Sequence, residues 1–290
     1  MLKLSVETSS GDTLQLFPSN DYSVGDVENL AAPAVSVNTA SMPGMAGGVL
    51  SGVSVGGRTI RIPIVPNNPP GEKRFALYQV FRVGNPITVH MVNNNGAFKI
   101  SGYVETFDGS LFGNPQTLTA TIVCPSPWWV SESPEVQMLG YSQGLFEFPF
   151  AIPEEGIEFG IDFATGMGYV ENKGPVECGL VIDVYGGNAP VQSSGDYGVI
   201  KIANETTGQV MIIDTGDMSR GDNLHIDTRQ GHKTITLTID NDTMLALNKL
   251  KNGSSWLTLV PGTNVLSFSA QQNAEYLDIY LTIDTQYEGV

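Results

Sequence analysis

The sequence predicts a mostly β protein of two domains, and three observations carry that expectation. The chain has 290 residues, which at roughly 100–200 residues per domain suggests two domains, each able to bury its own core. It holds 33 Gly and 17 Pro, while charged residues make up only 15%, against ~25% in an average globular protein. Gly, Thr, Ser and Asn must then supply the polar surface, which suits short strands joined by many turns and disfavours a helical bundle. Finally, apolar and polar residues alternate in several segments. A period of two places one set of side chains on one face of a strand, and one buried face with one solvated face is the habit of antiparallel sheets.

In chain order, the alternation first shows at Val53 and Val55, then at Ile60, Ile62 and Ile64. It recurs at Leu118, Ala120, Ile122 and Cys124, and at Val176, Cys178, Leu180 and Ile182. The last runs are Ile235, Leu237, Ile239 and then Leu277, Ile279, Leu281, Ile283. Turn clusters at 93–96 (NNNG), 108–110 (DGS) and 185–188 (YGGN) separate such runs. Two segments carry helical signals. Residues 72–83 place Leu77, Val80 and Phe81 at helical spacing after Pro69-Pro70-Gly71, and residues 242–250 offer Asp242 as N-cap with Asn252-Gly253 as a stop. The stretch 41–52, SMPGMAGGVLSG, reads as a long loop or an extended arm able to wrap a neighbour in an assembly. Pro125, Pro127, Pro134 and Pro149 bracket a boundary that we place at 140, giving domains 1–140 and 141–290. The charge balance changes there too: 7 basic against 10 acidic residues before it, net −3, and 7 against 20 after it, net −13.

The overall net charge of −16 argues against affinity for nucleic-acid phosphates or anionic lipid, both of which need surplus Lys and Arg. No apolar run approaches the roughly 18 residues that span a bilayer, and the start has no basic region leading into a hydrophobic core. Cys124 and Cys178 sit on apolar rows and read as small buried residues of a reducing compartment. His90 reads as a strand residue. His225 and His232, with Asp222 and Asp227 nearby, match no metal-ligand spacing. Nucleophile elbows, phosphate loops and calcium loops are missing, so the residues support no enzyme, cofactor or metal. Trp128 and Trp129 read as an apolar plug between the domains, and Trp256 as the start of a strand packed on a core.

Taken in order, these segments resemble the phage distal tail protein (Dit) family over nearly the whole chain. The first half carries the strand with Gly57 and Arg58, the helix EKRFALYQVF, and the strand ISGYVETFD with Gly102 and Tyr103. A strand ending in the turn Cys124-Pro125-Ser126-Pro127-Trp128-Trp129 follows; Ser126 and the tryptophan pair depart from the family, where Asp and Tyr are commoner. The second half carries NKG at 172–174, the GDNLHIDT hairpin with Gly221, Ile226 and Asp227, then Trp256 and the Pro261-Gly262-Thr263-Asn264 turn. The resemblance implies an N-terminal β-sandwich or barrel-like domain with one helix that closes with other copies into a hexameric ring. It also implies a C-terminal galectin-like antiparallel β-sandwich. Such a ring would join the tail tube protein to the tail-tip hub at the distal end of the virion's tail, after synthesis in the host cytoplasm. It would carry receptor-binding or side-fibre proteins and pass DNA without binding it specifically. Val53, Val55, Phe75 and Phe81 are the candidate ring contacts. The rival reading is a carbohydrate- or receptor-binding module. The polar set of sugar-binding galectins is missing, since Trp256 is followed by Leu-Thr-Leu and no His-x-Asn-x-Arg occurs.

Overall fold

The computed structural model describes residues 2–44, 46–110, 112–139, 143–144, 160–161, 166–187, 197–216 and 218–290. It divides into two compact units: residues 1–133 with 286–290, and residues 134–285. The boundary therefore falls at Ser133/Pro134 rather than at 140, and the last five residues return to the first unit. The reason is pairing: residues 135–139 already form a strand of the second unit's sheet, against 279–283.

The first unit is built from β1 (Lys3–Thr8), β2 (Thr13–Phe17), β3 (Tyr22–Val24), β4 (Val35–Ser41), β5 (Gly48–Val55) and β6 (Arg58–Pro66). Then come α1 (Pro70–Val80), β7 (Pro86–Asn93), β8 (Gly96–Ser110), β9 (Thr117–Cys124) and β10 (Trp129–Ser131). One antiparallel sheet runs β2-β1-β7-β8-β9-β6-β3 and curls until its two end strands lie against each other without pairing. Its inward rows are the alternating ones: Ile60, Ile62 and Ile64 of β6 and Leu118, Ala120, Ile122 and Cys124 of β9 are fully or nearly fully buried. The helix starts with Pro70 in its first turn, where a missing N–H costs nothing. Its Leu77, with Phe81 one turn on, closes the core, and the Phe81 ring stacks on Phe107 at 5.1 Å. The DGS cluster at 108–110 is the end of the long strand β8 rather than a turn. The stretch expected as a loop at 41–52 is a hairpin: β4 and β5 pair only with each other.

The second unit holds β11 (Glu135–Leu139), the two-residue strands β12 (Gln143–Gly144) and β13 (Gly160–Ile161), β14 (Gly166–Asn172), β15 (Leu180–Gly186), β16 (Val199–Asn204) and β17 (Gln209–Asp214). It continues with β18 (Asn223–Asp227), β19 (Thr234–Ile239), β20 (Asp242–Leu245), β21 (Gly262–Ala270) and β22 (Leu277–Ile283). Two antiparallel sheets, β11-β22-β15-β18-β19-β20 and β14-β21-β16-β17, share one core. Leu180, Ile182, Ile226, Ile235 and Ile279 from the first meet Ile200, Ile202, Ile213 and Phe268 from the second. This is a sandwich made by alternation in both layers. Of the expected boundary and turn residues, Pro149 and Asn188 lie outside the described residues.

Two local expectations fail for stated reasons. Residues 242–250 are not a helix: Asp242–Leu245 is a strand, followed by a short 3-10 turn at Leu247–Lys249. Asp240 and Asn241 both take positive φ, +50° and +67°, between the paired Ile239 and Asp242. That is the two-residue hairpin turn for which Asn and Asp are suited, and it makes Asp242 the first residue of a strand rather than a helix N-cap. Trp256 lies in unpaired chain rather than a strand. It is half-buried against the second core with the Lys233 ammonium 5.5 Å from its ring.

Gly102 shows how tightly the first unit is built. A Cβ there would come within 2.7 Å of the Val123 carbonyl oxygen, 2.8 Å of Cys124 Sγ and 2.9 Å of Ile122 Cγ2. Gly102→Ala is therefore expected to destabilise the first unit by about 1–3 kcal/mol through overpacking. Urea unfolding followed separately in the two units should show the loss in the first and none in the second.

Candidate functional site

Between Glu28 and Arg58 the chain carries no charged residue, and this stretch contains the β4–β5 hairpin. Val35 faces Val55 and Val37 faces Val53 across the ladder. The register then shifts between Asn38 and Thr39, so that Ser51 is the extra residue and Thr39 faces Leu50. Directly opposed residues share a face, so the bulge carries Leu50 onto the valine face; in unbroken register it would lie on the other side. The Ser51 hydroxyl donates to the Asn38 carbonyl at 3.0 Å and holds the bulge. Val35, Val37, Leu50, Val53 and Val55 thus form one aliphatic face, 40–59% exposed. A two-stranded ribbon with an uncovered apolar face is marginal in water. A face without charge has little desolvation cost when covered, and the centres of protein interfaces are depleted of charge. The arm is built for contact.

Its root is held by Arg58. The side chain is 4% exposed, and its Nη1 donates to three carbonyls, Asn29 at 3.0 Å, Leu30 at 3.2 Å and Ala31 at 2.8 Å. Its Nη2 donates to the carbonyl of Glu288, five residues after the second unit's last paired strand ends. The Val290 amide donates to Leu30 O at 3.3 Å, and a Cβ on Gly289 would sit 3.0 Å from the Ala31 backbone. One residue of the returning segment, Tyr287, pairs with Trp129 and packs edge-on against Phe98 at 5.1 Å. The Arg58 guanidinium lies 5.9 Å from the Trp129 ring centroid. Trp129 is fully buried in the first unit's core, so it is a core residue of that unit and not an inter-domain plug; Trp128 is half-buried. Burial pushes the Arg58 pKa down, yet four carbonyl dipoles converge on its fork. A Lys ammonium has three donors and no planar fork, so it could not reproduce the set.

The other expected residues form and lock turns. Gly57 leaves room for the Cys124 carbonyl, 2.8 Å from where its Cβ would be. Tyr103 and Pro125 are exposed and Pro127 half-buried. Cys124 and Cys178 are buried thiols whose pKa values burial pushes up to about 11 and about 12. Gly221 and Gly262 take φ of +87° and +88°, conformations that suit glycine. Ile226 is core, Pro261 is exposed, and buried Asn264 binds the Val260 amide at 3.1 Å and donates to the Val260 and Gly262 carbonyls at 2.8 and 3.0 Å. Asp227 receives Arg229 Nη2 at 2.6 Å and the Arg229 amide at 2.9 Å, while Arg229 Nη1 reaches Asp284 at 2.5 Å. Of the ring-contact candidates, Val53, Val55 and Phe75 are exposed, but Phe81 is 1% exposed and belongs to the core, because it lies one turn after Leu77 on the sheet-facing side. Phe75 instead leads an aromatic edge through Tyr78 to Phe107, at 6.4 and 5.4 Å. His90 lies between Glu7 and Glu132, and His225 bonds Asp183 at 2.7 Å. Among the described residues no three His, Cys, Asp or Glu side chains form a metal-sized group, and no helix is long and apolar enough to cross a membrane.

Two measurements test these assignments. Arg58→Ala, and equally Arg58→Lys, should speed amide hydrogen exchange of residues 29–31 and 286–290 together, since hydrogen bonds to a charged group are worth about 1.5–3 kcal/mol each. Faster exchange in only one segment would contradict a shared anchor. For Asp227, burial alone would raise the pKa, but the Arg229 side-chain and backbone bonds outweigh it and hold the carboxyl below its ordinary 3.8. Such a group stabilises the fold fully above its unfolded value, and the contribution is lost as pH falls through the folded value. The second unit's Tm should therefore drop below about pH 4, less steeply in Asp227→Asn than in the parent chain.

Residues 189–282 match the model of the siphovirus-type tail component, C-terminal domain. No curated protein matches the chain. Among solved structures, the Dit protein (gp 19.1) of phage SPP1, described as a paradigm of the hub adsorption apparatus of phages infecting Gram-positive bacteria, is 12% identical, with a TM-score of 0.66 over 97% of this chain and 98% of that one. A chain of the phage P2 baseplate in its activated conformation with Ca is 9% identical, with a TM-score of 0.60 over 100% of both chains; the Sr form of the p2 baseplate gives the same values. The fold from end to end is thus similar to that of the SPP1 Dit protein, and within the second unit residues 189–282 match the C-terminal domain model of siphovirus-type tail components.

Proposed function

We propose that six copies of this chain close a ring at the distal end of the tail, joining the tail tube to the tail-tip hub. Residues 1–133 with 286–290 form the ring, and residues 134–285 are a galectin-like outward unit that offers a platform for receptor-binding or side-fibre proteins. The observation that carries this reading is the uncharged arm with its aliphatic face open to solvent. Fully burying one Val or Leu side chain is worth about 1.5–3 kcal/mol, so five of them on one face are a substantial assembly drive. A closed ring needs two different complementary patches on each copy. The arm is one, and the edge formed by Phe75 and Tyr78 adds apolar surface on the same unit.

The charge supports the rest of the reading. A conduit should let DNA pass without holding it, and a net charge of −16 gives weak repulsion rather than binding. The work is done by surfaces rather than by a reactive centre. The protein acts in the virion, after synthesis in the host cytoplasm.

The ring is tested by mass photometry of the full chain. A species of six times 31.0 kDa is expected. Val53→Asp and Val55→Asp should each lower the fraction in rings by about tenfold or more, the equivalent of ~1.4 kcal/mol per contact. Val136→Asp, on an exposed position of β11, should leave it unchanged. Equal effects at all three positions would remove the arm from the interface.

A further inference from the structure

We propose that the arm of each copy seats in an apolar groove at the β2–β3 seam of the next copy. This rests on the ring reading above and names the socket that the arm fills.

The groove exists because the first unit's sheet does not close. β1 and β2 slip register between Leu4 and Ser5, β3 is only three residues long, and the two ends of the sheet meet without hydrogen bonds. The gap holds a cavity of about 290 Å³ lined by Leu2, Leu4, Phe17, Val24, Val27 and Met91, with Asp26 the charged residue among its described lining. Leu2 is 50% exposed and Phe17 41%. An apolar trough with two large side chains at its rim is as much in need of a cover as the arm is.

The copy's own arm does not supply that cover. Leu30 lines the groove, and the residues that follow it into β4 are held by Arg58, yet every residue of β4 is exposed and the groove stays open. The fit is therefore between copies. The arm presents branched aliphatic side chains on one face, which a trough accepts. The Phe75–Tyr78–Phe107 edge is a poorer seat, because its rings already pack edge-on against one another. Neither partner in the proposed contact brings a cation, and the arm brings no charge at all, so the contact leaves no ion unpaired except Asp26 at the groove. One arm and one groove per copy, at different places on the same unit, are the two patches of a heterologous contact that repeats around a ring.

Disulfide trapping in the full chain tests this. Val37→Cys with Phe17→Cys, both at exposed positions, should give a ladder of multimers after mild oxidation, ending at six copies and collapsing on reduction. Native Cys124 and Cys178 are buried and do not compete. Each single variant sets the background, and Val37→Cys with Phe75→Cys is the competing pair. The proposal is overturned by a ladder from the competing pair instead, by a disulfide closing within one chain, or by a ring that forms without the Val37–Phe17 cross-link. In each of those cases the ring reading survives. A parent chain that stays monomeric in the mass measurement overturns the ring reading, and the socket with it. As a second readout, Leu2→Asp should lower the ring fraction at least as much as Val53→Asp; no change would also count against the groove.

Discussion

A single buried guanidinium joins three parts of the chain that lie far apart in sequence. Arg58, at the start of a core strand, holds the segment 29–31 that leads into the arm and the carbonyl of Glu288 next to the chain's end. The contact to Glu288 spans 230 positions. The second unit is thereby an insertion into the first, entered after Ser133 and left before Gln286. Residues 286–290 belong to the first unit, where Tyr287 adds a strand beside Trp129 and covers Phe98. The anchor also ties the segment that leads into the arm to the start of a core strand. Arginine suits this place because one planar fork donates to four backbone carbonyls.

The arm shows a conflict between folding alone and assembling. Apolar rows at Ile60, Ile62 and Ile64 are buried, whereas the same alternation a few residues earlier, at Val53 and Val55, faces water. Nothing local distinguishes the two; what differs is that β6 lies between β9 and β3 while β5 pairs only with β4. The bulge at Ser51 concentrates the exposed aliphatic side chains on one face, which is wasteful for a monomer and useful for a contact. The loss of charge from residue 29 to residue 57 belongs to the same design, since it removes the residues that would resist desolvation.

In the second unit buried polar residues serve the ends of strands. Asn264 satisfies the amide and carbonyls of the turn that begins β21, Asn204 binds Asn264 and the Thr258 carbonyl, and Thr228 caps Leu180 from both sides of its peptide. Asp227 and Asp284 share Arg229. Buried polar groups must be paired, so such positions tolerate few residue types even when the surrounding core varies.

The buried rows of the strands, the first helix and the inert cysteines were legible in the amino-acid order, because a period of two or of 3.6 directly reports which side chains share a face. The hairpin turn at Asp240-Asn241 was not, since Asp242 directly after it suits a helix N-cap and local pattern cannot rank the two. Phe81 looked like a surface contact and Trp129 like a plug between domains, because apolar residues carry no label for the surface they bury against. The partners of Arg58 were invisible for a deeper reason. Backbone carbonyls occur at every residue, so nothing in the order of side chains marks which ones converge. Composition and periodicity determined that this chain makes antiparallel sheets with little charge. Only the tertiary structure decided that its last five residues complete its first unit and that its uncharged arm stands open, because both depend on which strand edges are left without a partner once the sheets have formed.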